Sequence, residues 1–405
     1  MLWDSAFAAA ATHESQSNTI KFNQNNFYIN NIMKNTTFLF ATAASIALLS
    51  AASGQTVIDI TGSTAGRSAV IGRVEALLSG ESVAWRGNAS KTSANFQIFY
   101  GGNYNGSPVT VRLFWSGSAA GVRDISNSPQ LANSYIVSNY AGPAGQNDAA
   151  ALAPASAATV SEIGFSDVFQ TSTSFTTNTL TDEVSVAVIP FVFVKNDGAK
   201  AGLLNVTPPA FQAAFGAVGE APLSFFTGNP ADATSKVFAT GRNNESGTRI
   251  TTLANCYYGL SLNVGQYTGT VASDQISLNF AGNGGYSSGS GVAALLAAKL
   301  TGSNVNNSLI GYVGTSDAAT AVAGGGALLK FNGIDYTAPA VYNGQYTLWG
   351  YLHQSTMLDI NSPGVTEQFY IGLRDAMIAN PGSGTLSLDL MNVERAADGA
   401  VVTPK

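Results

Sequence analysis

Residues 57–78 read VIDITGSTAGRSAVIGRVEALL, and this stretch sets the pattern that decides the fold. Residues 57–60 have the composition of a short strand, and a loop of small residues follows at 61–66. Apolar residues then recur at helical spacing from Val70 to Leu78, and Gly80 can end that helix. The stretch therefore predicts a strand, a loop rich in glycine and hydroxyl residues, and a helix, in that order.

The same unit returns along the chain. Further strands are predicted at 109–114, 163–167, 184–194, 236–240, 310–313 and 346–352. Small-residue loops occur at 116–121, 241–247 and 282–285, and helices are predicted from 122, within 141–160, and at 211–215, 248–253, 292–300 and 366–379. Because strands alternate with helices throughout, the sequence predicts an α/β fold.

Composition narrows the class of function. The chain has 405 residues, 45% of them hydrophobic, which is enough for two or three domains with buried cores. Only 10% are charged and the net charge is -6, with no cluster of Lys and Arg. Nucleic acid is therefore excluded as a partner, since phosphate backbones require a basic face.

Cysteine and histidine are too scarce for most metal or nucleophilic centres. Cys256 is the single cysteine, so the chain can form neither an intramolecular disulfide nor a thiolate zinc site. His13 and His353 are the two histidines. We expect no metal, no cofactor and no enzymatic activity.

An export segment precedes the first strand. Met33 and Lys34 open a short basic region, residues 38–49 are largely apolar, and small residues fill 50–54. This pattern predicts a signal peptide at 33–54, cleaved near Ala52 or Gly54, and a periplasmic or secreted mature protein. Residues 1–32 are then an upstream extension. The alternative is an uncleaved anchor with a short tail, although the apolar run is shorter than the ~20 residues of a membrane span.

The small-residue loops suggest an anion site. A helix start presents free N–H groups and the positive end of the helix dipole, and small residues let a ligand approach the backbone. An arginine can grip an oxyanion through two hydrogen bonds. Ordinary helix capping is the alternative. The loops carry Ser63, Thr64, Ser116, Ser118, Arg242, Ser246 and Thr248.

Six stretches in register resemble a known family. Residues 60–65 (ITGSTA), 116–122 (SGSAAGV), 163–167 (IGFSD) and 242–248 (RNNESGT) are similar to T-G-A-G-A-T, G-S-S-G-G-V, F-G-A-S-D and R-x-D-G-S-G-T. Residues 282–285 (GNGG) and 310–313 (IGYV) are similar to G-N-x-G and I-G-Y-V. These are motifs of the phosphate-binding proteins of bacterial ABC phosphate transporters, which have the type II periplasmic-binding-protein fold.

The resemblance implies two lobes with the ligand held in a cleft between them. Lobe 1 would hold 55–192 plus 345–405, and lobe 2 would hold 193–344. Ser118 would donate to the ligand, Asp167 would accept the proton of phosphate, and Arg242 would form the ion pair. The expected ligand-binding residues are Ser63, Thr64, Arg67, Ser118, Asp167, Arg242, Asn244, Ser246, Gly247 and Thr248.

Two departures from the family pattern bear on the ligand. Asn244 replaces an acid and Glu245 replaces a glycine. Gly66 and Arg67 stand where the family has T-F, so Arg67 either adds a second cation to the cleft or points to solvent. Both changes can move the preference toward another oxyanion, a phosphate ester or a more highly charged phosphate.

The predicted function is that of a solute-binding protein. It captures phosphate or a phosphate-like oxyanion for ABC import, acts as a monomer and delivers to a membrane permease. One alternative is a surface or matrix protein that keeps the fold without a ligand. Another is a serine hydrolase, because residues 285–289 fit G-x-S-x-G around Ser287, with Asp317 or Asp335 and then His353 in chain order.

Overall fold

The strand, loop and helix predicted at residues 57–78 are present in the structure. A computed structural model describes residues 54–126, 134–147 and 159–405. It contains a strand at Thr56–Gly62 and a helix at Arg67–Leu77. The predicted upstream extension, all of the signal peptide except Gly54, and most of the 141–160 segment lie outside the described residues.

The described residues form eighteen strands. Numbered in chain order, they are β1 (Thr56–Gly62), β2 (Ser82–Arg86), β3 (Phe96–Tyr104), β4 (Ser107–Phe114), β5 (Gly145–Gln146), β6 (Ile163–Ser166), β7 (Asp182–Lys195), β8 (Asn205–Val206), β9 (Glu220–Pro222), β10 (Lys236–Thr240), β11 (Tyr267–Ala272), β12 (Gln275–Phe280), β13 (Lys299–Leu300), β14 (Ser308–Gly314), β15 (Ala327–Phe331), β16 (Trp349–Thr356), β17 (Val393–Glu394) and β18 (Thr403–Pro404).

The helices fall between the strands. They are α1 (Arg67–Leu77), α2 (Ser118–Ile125), α3 (Pro208–Ala214), α4 (Ser224–Thr227), α5 (Gly247–Asn255), α6 (Gly289–Leu296), α7 (Thr315–Ala323), α8 (Ala338–Tyr342) and α9 (Val365–Ala379). Among the described residues, no helix combines the length and the hydropathy that a membrane span requires.

One large sheet organises these elements. Its strand order is β5-β2-β3-β4-β1-β6-β16-β7-β14-β10-β9, and β15 pairs with β7 and β8. Strands β4, β1 and β6 are parallel to one another, and β10 is parallel to β14. Strands β16 and β7 lie between these two groups and pair antiparallel with their neighbours. Helices follow the parallel strands, so the predicted α/β class is confirmed.

Strand β7 connects the two parallel groups. It pairs with β16 from Asp182 to Pro190 and with β14 from Phe191 to Lys195. Residues 186–194 are buried, as the apolar run predicted. Pro190 lies where β7 changes its partner from β16 to β14. Proline has no N–H group, and at this position its absence interrupts the hydrogen bonds with neither strand.

Several predicted boundaries were wrong. Helix α2 begins at Ser118, four residues before the predicted start. Helix α6 ends at Leu296, because Leu300 belongs with Lys299 to a short strand. The late strand begins at Trp349 rather than at 346. Strands β11 and β12 are largely solvent-accessible, so polar residues obscure the alternation that identifies a half-buried strand.

Gly62 is required where β1 ends. Its φ is +124°, and a Cβ atom there would overlap the carbonyl oxygen of Phe165. Gly101 has a comparable φ of +71° but open space around it. We expect Gly62→Ala to lower the free energy of unfolding by about 3 kcal/mol or more, and Gly101→Ala by about 1 kcal/mol. Urea titrations measure both, and equal losses would contradict the role of the Phe165 contact.

Candidate functional site

Five polar side chains follow the carboxyl ends of strands in the two parallel groups. Ser63 follows β1, Ser118 follows β4, Asp167 follows β6, Arg242 follows β10 and Asp317 follows β14. Carboxyl ends of parallel strands are where open α/β sheets bind ligands. The two groups run in opposite directions on either side of β16 and β7, and contacts between their loops bring the two sets of carboxyl ends together.

The loops of the two parallel groups meet directly. The N–H of Ala119 donates to the carbonyl of Glu245 at 3.0 Å. A Cβ atom on Gly247 would overlap both Oδ1 of Asp167 and the Ser118 hydroxyl. Helices α2 and α5 therefore begin side by side, and only a residue without a side chain fits at position 247.

Asp167 is the buried acid at this meeting point. It is 1% exposed. The Thr248 hydroxyl donates to its Oδ2 at 3.2 Å, and its own N–H donates to the Ser118 hydroxyl at 3.1 Å. Its Oδ1 has no hydrogen-bond partner among the described residues. A buried carboxylate oxygen without a donor carries a large desolvation cost, and a ligand donor can remove it.

Burial raises the pKa of Asp167 to about 6, although its own backbone N–H, the Arg242 charge and the Thr248 and Ser63 hydroxyls all lower it. The carboxyl group is therefore mainly ionised at neutral pH. It can accept a hydrogen bond there from a protonated ligand.

Arg242 is a buried cation held in a fixed position. Its Nε donates to the carbonyl of Tyr286 at 3.1 Å, and its Nη2 donates to the carbonyl of Ser287 at 2.8 Å. Burial lowers the pKa of Arg242, while Asp317 and Asp167 raise it. The two carboxylates therefore stabilise the positive form of Arg242.

Arg67 is buried at the first position of α1, so it does not point to solvent. Its Nε donates to the carbonyl of Thr92 at 2.9 Å, and its Nη1 donates to Oδ1 of Asn95 at 2.6 Å. Burial lowers the pKa of Arg67 to about 10, Asp317 raises it and Arg242 lowers it. Within the described ranges, no carboxylate forms a direct ion pair with this guanidinium.

Asp317 completes what we call the buried charge cluster, which consists of Arg67, Asp167, Arg242 and Asp317. It lies in the first turn of α7, is 7% exposed, and has no hydrogen-bond partner among the described residues. Burial raises the pKa of Asp317, while Arg67 and Arg242 lower it. From the sequence, Asp317 is predicted only as a candidate hydrolase acid. Its place after β14 repeats the strand, loop and helix unit and could have identified it.

Of the remaining predicted site residues, four lie at or beside the cluster and one, Asn244, lies on the surface. Thr64 and Thr248 are buried beside the cluster, and Gly247 is the first residue of α5. The Ser246 hydroxyl caps that helix by accepting from the N–H of Arg249 at 3.2 Å. Asn244 is exposed and lines a surface groove, so its contact with a ligand stays a prediction.

Glu245 has a structural partner that the sequence did not reveal. Its carboxylate forms an ion pair with the guanidinium of Arg123 in α2. Arg123 also pairs with Asp124 at 3.1 Å. The Arg123–Glu245 pair links the segment after β4 with the segment after β10, and it stabilises the contact between α2 and α5.

The hydrolase triad is not assembled. Ser287 is exposed and lies seven residues after the end of β12 at Phe280, so no strand leads directly into it. His353 is buried, hydrogen-bonds Ser185 at 3.4 Å and packs on Phe169. Burial lowers the pKa of His353 to about 3, so it is a neutral core residue. Asp335 pairs instead with Lys330 on the surface.

Metal ligands are equally sparse. Within the described residues, no group of three or more His, Cys, Asp or Glu side chains is arranged to hold a metal ion.

The raised pKa of Asp167 makes stability depend on pH. The folded state binds this proton up to pH of about 6, whereas the unfolded chain releases it near 3.8. Stability therefore falls as the pH rises through this window, and the penalty is complete above it. As the pH rises from 4 to 7, the free energy of unfolding of Asp167→Asn should increase by about 3 kcal/mol relative to that of the wild type.

Urea titrations in phosphate-free buffer measure this gain. Asp335→Asn, at an exposed carboxylate, is the matched control and should follow the wild-type pH profile. Parallel profiles for Asp167→Asn and the wild type would contradict the raised pKa.

The structure is similar to solved structures of phosphate-binding proteins. No family model matches the sequence, and no curated protein matches it significantly. An ABC-type phosphate transport receptor from Vibrio cholerae is 14% identical, with a TM-score of 0.43 over 81% of this chain and 99% of that one. PstS from Borrelia burgdorferi is 14% identical, with a TM-score of 0.38 over 82% and 99%. A phosphate-binding protein from Stenotrophomonas maltophilia is 12% identical, with a TM-score of 0.38 over 80% and 94%. At these values the ligand has to be inferred from the side chains of this chain.

Proposed function

We propose that this protein is an extracytoplasmic solute-binding protein that captures phosphate or a phosphate-like oxyanion for ABC import. The observation that carries the proposal is the unpartnered Oδ1 of Asp167, buried beside Arg242 and the first residues of α2 and α5. This arrangement combines donors for an anion with one acceptor for its proton.

The donors come from helix starts and hydroxyl groups. Ser118 and Gly247 are the first residues of α2 and α5, whose free N–H groups and dipoles favour an anion. The Ser63 hydroxyl accepts from the N–H of Gly66 at 3.1 Å and lowers the pKa of Asp167 through a side-chain hydrogen bond, so it helps to hold the acceptor that faces the ligand. Arg242 supplies positive charge from a fixed position.

Asp167 provides the selectivity. Phosphate retains a proton at neutral pH and can donate it to Oδ1, whereas sulfate has no proton to offer. Sulfate would place an acceptor against a buried acceptor, which costs binding free energy. The site therefore favours a protonated oxyanion, although the formal charges of its two aspartates and two arginines sum to zero.

The two predicted lobes fit the sheet order and remain part of the proposal. Strand β7 passes from a group that includes β1, β4 and β6 to a group that includes β10 and β14. Ligand capture would close the gap between these groups, with β7 and β16 as the crossing strands. The Arg123–Glu245 pair would then stabilise the closed arrangement.

The apolar segment at 38–49 supports export, and delivery of the ligand would require a membrane permease. We propose that the mature chain acts as a monomer. The ligand-free surface protein remains the competing function, and titration with oxyanions separates the two.

Calorimetric titration with phosphate and with sulfate tests the proposal. The protein is first unfolded and refolded to remove bound anions. We expect phosphate binding without sulfate binding in the wild type, and sulfate binding in Asp167→Asn, because the amide can donate to an oxyanion. Asp335→Asn is the control and should behave like the wild type. A folded protein that binds neither anion would overturn the proposal in favour of the surface protein.

Closure can be tested separately at the Arg123–Glu245 pair. Replacing Glu245 with Gln should raise the dissociation constant for phosphate by about two- to fivefold, since the Glu245 side chain is 36% exposed and the pair is worth little more than a surface ion pair. Glu220→Gln, which breaks the exposed pair with Lys236, is the matched control. An unchanged dissociation constant in Glu245→Gln would remove this pair from the closing mechanism.

A further inference from the structure

A polar cavity adjoins the buried charge cluster. Its volume is about 390 Å³, and eight of its eleven lining residues are serine or threonine. We call it the hydroxyl cavity. Its walls come from the start of α1, from the loop before β3, from the start of α7 and from the segment after α9, including Ser68, Ser90, Ser93, Ser316, Thr320 and Ser383.

Arg67 and Asp317 belong to both the hydroxyl cavity and the buried charge cluster. Arg67 is held in place by Thr92 and Asn95, so its position does not depend on a ligand. Thr64, which also lines the cavity, is the direct neighbour of Ser63 in the anion-binding loop. The cavity and the proposed phosphate site therefore share the loop between β1 and α1 and two members of the buried charge cluster.

Asp317 is the observation that points to a ligand. It is a carboxylate with 7% exposure that lines the cavity and has no hydrogen-bond partner among the described residues. Buried carboxylates in native structures normally accept hydrogen bonds. Serine and threonine walls supply further donors and acceptors, so hydroxyl groups of a ligand are well matched to this cavity.

The size of the cavity exceeds the need of a single oxyanion. Sites for small organic ligands generally occupy ~300–1,000 Å³, and the hydroxyl cavity falls in that range. Its lining includes no aromatic residue and one alanine, Ala319, so an apolar ligand would find little apolar surface to pack against. A small polyhydroxylated group fits both the volume and the chemistry.

We propose that the hydroxyl cavity binds the polyol part of a phosphate monoester, such as glycerol phosphate, whose phosphate group occupies the site beside Asp167. This inference rests on the proposed function and specifies its ligand. Asp317 accepts hydrogen bonds from ligand hydroxyl groups. Arg67 donates to the ligand oxygens that lie between the two sites.

The test compares three ligands by calorimetry: inorganic phosphate, glycerol phosphate and propyl phosphate. Propyl phosphate has the carbon skeleton of glycerol phosphate without its free hydroxyl groups. The titrations are run at pH 6, where a monoester retains its second proton in part of the population and can still donate to Asp167. We expect glycerol phosphate to bind about tenfold or more tightly than propyl phosphate.

Two variants attribute that preference to the cavity. Asp317→Ala should abolish the advantage of glycerol phosphate over propyl phosphate. Ala319→Trp, at an exposed position on the cavity wall, should weaken glycerol phosphate binding more than inorganic phosphate binding. Asp335→Ala is the control at an exposed carboxylate and should keep the full preference.

The outcomes separate this inference from the proposed function. If inorganic phosphate binds and glycerol phosphate binds no better than propyl phosphate, the cavity inference is overturned and the proposed function stands. If none of the three binds to the folded protein, both are overturned.

Discussion

Burial of two arginines and two aspartates where the carboxyl ends of the two parallel strand groups meet is the constraint on which the rest of this structure depends. Arg67, Asp167, Arg242 and Asp317 are all nearly inaccessible to water, yet no direct ion pair joins them. Charges in such a setting are costly unless hydrogen bonds or opposite charges compensate. Backbone carbonyls hold the arginines, while Oδ1 of Asp167 has no hydrogen-bond partner among the described residues and the carboxylate of Asp317 is compensated by the charges of Arg67 and Arg242. A ligand that donates to Oδ1 of Asp167 would satisfy that acceptor.

Much of the site could be predicted from the sequence because its residues follow a repeated local pattern. Ser63, Ser118, Asp167 and Arg242 each lie within four residues of the end of a strand, and within each group parallel strands bring such positions to one edge. The role of Asn244 stays a prediction, while the ion pair of the neighbouring Glu245 with Arg123 is a tertiary contact that no local pattern encodes. Asp317 was recognised only as a hydrolase candidate, since its role depends on Arg67 and Arg242, which are distant in sequence. The exposed strand β11 was missed because its polar residues lack the alternation of a buried strand.

The two proposed sites would recognise different parts of one ligand. Asp167 and the starts of α2 and α5 would bind a protonated oxyanion, and the hydroxyl cavity would bind the group attached to it. Arg67 connects them, at the position where the sequence departs from the family of phosphate-binding proteins that it resembles. Lobe closure through Arg123 and Glu245 would enclose both sites together. This ion pair lies outside the ligand site, and we expect it to influence affinity for that reason.

The central claim is that Oδ1 of Asp167 accepts a hydrogen bond from a bound oxyanion. The most direct measurement is a crystal structure of the refolded protein grown with phosphate. The account predicts a phosphate oxygen about 2.5–2.7 Å from Oδ1 of Asp167, the length of a short hydrogen bond between a hydroxyl and a carboxylate. It also predicts the remaining phosphate oxygens at the first residues of α2 and α5. A phosphate ion bound elsewhere, with Oδ1 of Asp167 still lacking a donor, would contradict it.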